Sequence, residues 1–106
     1  MNPGNALEPG KIRPVVLVQS DFLHNIDYLS TIVCPISSLQ KGISKIRIPV
    51  NPSSINGLKK RSSIIVDQIT AVDLNRLREK IGYLEEEYRT PLCESIIEIL
   101  DLQNTY

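Results

Sequence analysis

Arg13 and Pro14 stand at the mouth of an apolar run in the stretch EPGKIRPVVLVQSD. Pro14 has no N–H to give to a ladder and holds the residue before it extended, so the pair marks the first position of a strand. Gly10 supplies a turn ahead of it. A bend at this point delivers a guanidinium to the rim of a packed core. Its charge persists across the neutral range, and its fork of donors fits a phosphate. The other use of the same side chain is a surface pair with Glu8 or Asp21. Asp67 interrupts the apolar run SSIIVDQI. A carboxylate there costs desolvation unless it is paired, which leaves a structural hydrogen bond or a chemical role. His24, the only histidine, lies in the stretch DFLHNIDYL and has the ring pKa of a general base, although a lone loop histidine can equally be just exposed. Lys41, Lys45, Arg47, Lys59, Lys60 and Arg61 gather in two loops around one strand, a cluster suited either to phosphates or to a solvated face.

These groups need a scaffold, and the apolar pattern supplies one. The continuous β-branched and aliphatic run over residues 13–19 predicts a strand covered on both faces. A second apolar run, 31–36, is strand-like. In ISKIRIPV, Ile46 and Ile48 alternate with Lys45 and Arg47, the period of a half-exposed strand. NPSSING is turn chemistry, and 63–69 is a further strand. After Asp73, Leu74, Leu77, Ile81 and Leu84 recur at helical spacing, but Gly82 makes a short helix followed by an extended piece an equal reading. EEEYRTPLCESIIEILDL predicts a terminal helix with acids in its first turn, Pro91 early, and Leu92, Ile96, Ile99 and Leu100 as its apolar stripe. Four or five strands with one C-terminal helix predict a mainly β fold, a small antiparallel barrel or curved sheet closed by that helix.

The chain has 106 residues, 42% of them hydrophobic, with four Tyr, one Phe and no Trp. A domain of this length hides only about two-thirds of its unfolded surface, which favours a dimer. The formal net charge is zero, so any nucleic-acid binding has to come from local clustering. No apolar segment approaches a membrane span and no signal peptide is evident, which predicts a cytoplasmic protein without a membrane partner. Cys34 and Cys93 lie in apolar surroundings and read as reduced core residues; one histidine and no paired Cys or His spacing give no metal site.

Taken in order, EPGKIRPVVLVQSD, STIVCPISS, NGLKKRSSIIVDQITAVD and RLREKIGYL with a helical end resemble the MazF/PemK/Kid toxins of bacterial toxin–antitoxin pairs. The resemblance runs over nearly the whole chain as a single domain, 1–106. It implies an SH3-like barrel, a homodimer and a metal-independent endoribonuclease, needing no cofactor, that acts on single-stranded RNA. It also implies a cognate antitoxin. Arg13 matches the family's catalytic Arg-Pro arginine, and Ser37 falls where many members have a catalytic Thr. Glu8 matches an acidic position in the substrate-binding loop, and Asp67 and Gln68 match an Asp-Gln pair beside the RNA groove. Lys41, Lys45 and Arg47 join the substrate-binding set. The arginine that one branch uses two residues before the Asp is Ile65 here. Members begin with an apolar strand ahead of the Asn-Pro loop, whereas this chain starts at Met1-Asn2-Pro3, so that strand is expected to be missing.

RNA carries its own nucleophile, the 2′-OH. Cleavage needs that proton removed, the phosphorane stabilised and the 5′-oxygen protonated, giving 2′,3′-cyclic phosphate and 5′-OH ends. Arg13 suits the second task and is a poor base, so the base is left among His24, Asp67 and Glu8. Two further readings stay open: a toxin of the same architecture that cleaves nothing and poisons DNA gyrase, and an inactive RNA-binding module.

Overall fold

The computed structural model describes residues 13–18, 29–38 and 46–100. Strands β1 (Val15–Leu17), β2 (Ser30–Ser37), β3 (Arg47–Val50), β4 (Ser62–Ile65) and β5 (Thr70–Asp73) form one antiparallel sheet, followed by a helix, α1 (Glu86–Ile99). The strand order is β1-β2-β4-β3, with β5 also paired to β2. No ladder among the described residues joins β1 to β3, so over these residues the sheet is open.

β2 organises the rest. One edge takes β1. The other takes β5 along Ser30 to Val33 and β4 at Ile36 and Ser37. The amide of Ile36 donates to the Pro14 carbonyl at 3.1 Å, and the Val18 amide donates to the Ile32 carbonyl at 2.9 Å. The even-numbered backbone groups of β2 therefore face β1, and the odd-numbered ones face the other edge. Pro35 thus points its missing donor into the gap between β5 and β4, where no ladder bond is required. Pro49 lies in β3, an end strand of the sheet, which tolerates it for the same reason.

The seam opposite Pro35 holds Asp67 and Gln68. Three steps along β2, from Ile36 to Val33, are matched by six along the opposing chain, from Ile64 to Thr70. The surplus is taken up by a single 3-10 turn, Val66–Gln68. The strand expected over 63–69 accordingly stops at Ile65 and resumes as β5. Asp67 does not interrupt an apolar strand: it is exposed on this turn, where burial imposes no desolvation cost.

In the β1–β2, β2–β4 and β3–β4 ladders every partner pair joins residues of equal parity, as in Val15 with Pro35, Ser37 with Ser63 and Pro49 with Ser63. Directly opposed residues share a face and successive residues alternate, so parity names the face. Val33 and Ile65 are buried on the odd face, but the larger packed cluster is on the even face. Cys34, Ile36, Ile48, Val50, Ile64 and Val66 are buried there with Leu92 of α1, and Val16, Val18 and Ile46 pack around them. Each such side chain removed from water contributes about 1.5–3 kcal/mol.

Helix α1 packs on this even face, against β3 and the Val66–Gln68 turn. Of its expected stripe, Leu92 is buried and Ile96 and Ile99 are half-buried. Leu100, the residue after the helix end, is exposed and does not join the packed stripe. Cys93 is also exposed on α1, whereas Cys34 is fully buried; both are free thiols. Burial pushes the Cys34 thiol up to about 11. Leu17 is 46% exposed, so β1 is not covered on both faces as its unbroken apolar run predicts. Between β5 and α1 the chain makes one 3-10 turn, Leu74–Arg76, and then runs without helix to Glu85, the extended alternative for that segment.

That segment closes on the β3–β4 loop. The Gly57 backbone has φ +72°, and a Cβ there would lie 2.7 Å from the Ile81 carbonyl carbon; one on Gly82 would lie 2.6 Å from that of Asn56. Only glycines allow the two backbones this approach. The Tyr83 amide donates to the Ile55 carbonyl at 2.8 Å across the contact. Buried Asn56 donates to the Asn51 carbonyl at 2.9 Å and to Glu85 Oε1 at 3.0 Å, and its Oδ1 accepts from the Ser53 and Leu58 amides. Ser53 Oγ donates to Glu85 Oε2 at 2.7 Å. The Ser53 hydroxyl, with the Glu85 amide and the Asn56 side chain, holds the Glu85 carboxyl below its ordinary value.

Candidate functional site

The odd face of the sheet, turned away from α1, brings together several of the candidate residues read from the sequence. The β1–β2 ladder continues past Val15 through the Pro14 carbonyl, and one further step sets Arg13 opposite Ser37. Ser37 is in turn opposite Ser63, and Ser63 opposite Pro49. One transverse row therefore crosses four strands as Arg13, Ser37, Ser63 and Pro49. Two residues along β3 from Pro49, on the same face, Arg47 stands opposite Ile65. Arg61 directly precedes β4, two residues from Ser63, and is exposed; the alternation of β4, continued by one residue, leads to this face.

Each position has a local cause. Pro14 holds Arg13 extended at the start of β1, where it is exposed. Ser37 is the last residue of β2, half-buried, and its partner Ser63 is 7% exposed. Two serines thus lie side by side in the middle of the row. Arg13 and Arg47 stand at positions of this face, whereas the exposed acids Glu86, Glu87, Glu94 and Glu98 belong to α1, across the core. Among the described residues these arginines and the acids of the helix are in this way kept apart.

Of the site residues read from the sequence, Arg13, Ser37 and Arg47 share this face, and Asp67 and Gln68 stand exposed on the adjoining seam. Glu8, His24, Lys41 and Lys45 lie outside the described residues. Lys59 and Lys60 are exposed in the loop leading to β4. Ser63 was not singled out by its sequence. In SSIIVDQI nothing separates it from Ser62, which faces the core side opposite Val50 and donates to the Lys60 carbonyl at 2.9 Å; only the β2–β4 register tells the two apart.

Surface hollows on the described residues are lined by Leu29, Asp73, Leu74 and Asn75, and by Glu86, Arg89, Thr90, Cys93, Glu94 and Ile97 of α1. Neither includes Arg13 or Ser37.

Residues 1–100 match the sequence profile of the PemK-like, MazF-like toxins of type II toxin–antitoxin systems. The chain is similar to Endoribonuclease MazF of Staphylococcus saprophyticus subsp. saprophyticus, with 34% identity over 90 residues, covering 82% of this chain and 72% of that protein. It is also similar to Endoribonuclease MazF of Staphylococcus epidermidis, with 30% identity, covering 98% of this chain and 86% of that protein. Among solved structures, Mycobacterium tuberculosis toxin MazF-mt6 superposes with a TM-score of 0.69 at 26% identity, covering 81% of this chain and 83% of that one. A MazE–MazF structure from Deinococcus radiodurans shares the fold, with a TM-score of 0.65 at 15% identity and coverage of 82% and 80%.

Proposed function

This chain belongs to the PemK-like, MazF-like toxins of type II toxin–antitoxin systems, and from that premise we propose that it is a sequence-selective, metal-independent endoribonuclease cleaving single-stranded mRNA. The observation that carries the reading is the register setting Arg13 beside Ser37 on the arginine face. Relatives named as endoribonucleases over most of the chain support the reaction class.

In the proposed step the 2′-oxygen attacks the adjacent phosphorus and the P–O5′ bond breaks. The 2′-OH proton goes to a base and a proton is delivered to the departing 5′-oxygen, leaving a 2′,3′-cyclic phosphate and a 5′-OH. Negative charge builds on the non-bridging oxygens in between. Arg13 meets it with two donors whose charge is fixed, and Ser37 donates a further hydrogen bond. A well-placed donor of this kind is worth about 3 kcal/mol in the transition state. The base is drawn from His24, Glu8 and Asp67, and Gln68 contacts the strand alongside. Lys41, Lys45 and Arg47 hold flanking phosphates. The proposed partners are single-stranded RNA, a cognate antitoxin whose acidic segment covers the arginine face, and a second copy of the chain.

The test is incubation of the purified protein with single-stranded RNA in EDTA. Discrete fragments ending in 2′,3′-cyclic phosphate, abolished by Arg13→Ala, are expected. Intact RNA, with DNA supercoiling by gyrase inhibited instead, would overturn the reading in favour of a gyrase-binding toxin.

A further inference from the structure

Resting on the proposed site, we infer that Arg61 is a substrate-binding residue that takes the phosphate next to the one held between Arg13 and Ser37. Arg61 adjoins β4 on the residue side that leads away from Ile65, and Ser63 between them is directly opposite Ser37. From Arg13 to Arg61 the path crosses two strand spacings of about 4.8 Å and then runs about 6.7 Å along β4. Two long guanidinium arms that far apart, on one face, converge on neighbouring groups of an extended polyanion while the paired serines lie beneath it. The track that results runs across the strands, from β1 to β4.

Position separates Arg61 from the lysines beside it. Lys59 and Lys60 belong to the loop that Asn56 and Glu85 tie down at its other end, whereas Arg61 directly abuts a four-residue strand that is wholly buried. Its attachment to that strand limits how far its backbone can move. An arginine on a fixed backbone loses less freedom on gripping a phosphate than a lysine in a loop does. Arg47, on the same face but opposite Ile65, stands on the far side of the row. The phosphate beyond Ser63 is accordingly left to Arg61.

The test uses a short fluorescent single-stranded DNA of mixed sequence. It offers phosphates but no 2′-OH, so binding is read whether or not the protein cleaves. Affinity is measured by anisotropy between about 50 and 200 mM salt for wild type, Arg61→Ala, Arg61→Lys and, as a control on the acidic helix, Arg89→Ala. For Arg61→Ala the slope of log affinity against log salt should become shallower by about 0.7, the value for one phosphate contact to a single strand. Affinity at the lower salt should fall about tenfold. Arg61→Lys should restore the slope, and Arg89→Ala should leave it unchanged. An Arg61→Ala slope equal to wild type, or no binding by wild type, overturns the inference. A changed slope in a protein that leaves RNA intact sinks the proposed reaction and leaves Arg61 standing as a phosphate contact.

Discussion

Arg13 and Ser37 close the β1–β2 ladder from its two sides, one step beyond the bond from the Ile36 amide to the Pro14 carbonyl. They are 24 positions apart in the chain, and nothing local brings them together. Their approach depends on the pairing of Val15 with Pro35, since a slip of β1 by one residue would turn Arg13 to the core face and leave it opposite an isoleucine or a second serine.

Arg13→Ala should lower kcat on RNA roughly 100- to 1,000-fold, the loss typical of one transition-state donor, with a smaller effect on KM. Arg13→Lys keeps the charge and loses the fork, so it should recover only part of the rate. Equal kcat for wild type and Arg13→Ala would remove this residue from the chemistry.

At Ser37 the comparison is between Ala and Thr. Ser37→Ala deletes one hydrogen bond to a charged oxygen and should lower kcat by roughly 10- to 100-fold. Ser37→Thr keeps the hydroxyl in a strand position that accepts β-branching, and should stay close to wild type. Single-turnover rates on one RNA separate the two variants.

The Glu85 carboxyl gives a pH-dependent stability. Its folded pKa is lowered, chiefly by the Ser53 hydroxyl, so the stability it adds is fully present above the unfolded carboxylate value of about 4.3 and is lost as pH falls through the lower folded value. Urea midpoints of wild type should exceed those of Glu85→Gln at pH 6, and the gap should narrow between pH 5 and 3. A constant gap over that range would mean the carboxylate charge is not what holds the loop.

Gly57→Ala and Gly82→Ala should each destabilise by at least about 2 kcal/mol, since an added Cβ meets backbone in both cases and Gly57 also has a left-handed φ. Thermal melts will measure this. A melting point within a degree or two of wild type for either variant would show that the two segments can separate at little cost.

The cysteines should differ in reactivity. Exposed Cys93 should take up iodoacetamide in the native protein, while Cys34, buried with its thiol pushed up to about 11, should react only on unfolding. Peptide mass spectrometry before and after denaturation distinguishes them, and native labelling of Cys34 would contradict the packing of β2.

Side-chain periodicity makes much of this protein legible from its residues alone. The runs that form β1 to β4, the alternation of Ile46 and Ile48, the proline opening β1 and the acid-led terminal helix are all local signals, and local signals survive in a sequence because each residue's face is set by its own backbone. Arg13 and Ser37 can be pointed to in the same way, one by its proline and the other through the family resemblance. Tertiary structure decided the rest. Asp67 left its strand because three surplus residues had to be spent opposite Pro35. Leu100, just past the end of α1, fell outside the packed stripe. Ser63 reached the arginine face, and Ser62 the core, because β2 and β4 pair in one register and no other. Register between strands distant in the chain is set by which apolar sets can be buried together, a property of the assembled sheet that no single segment carries.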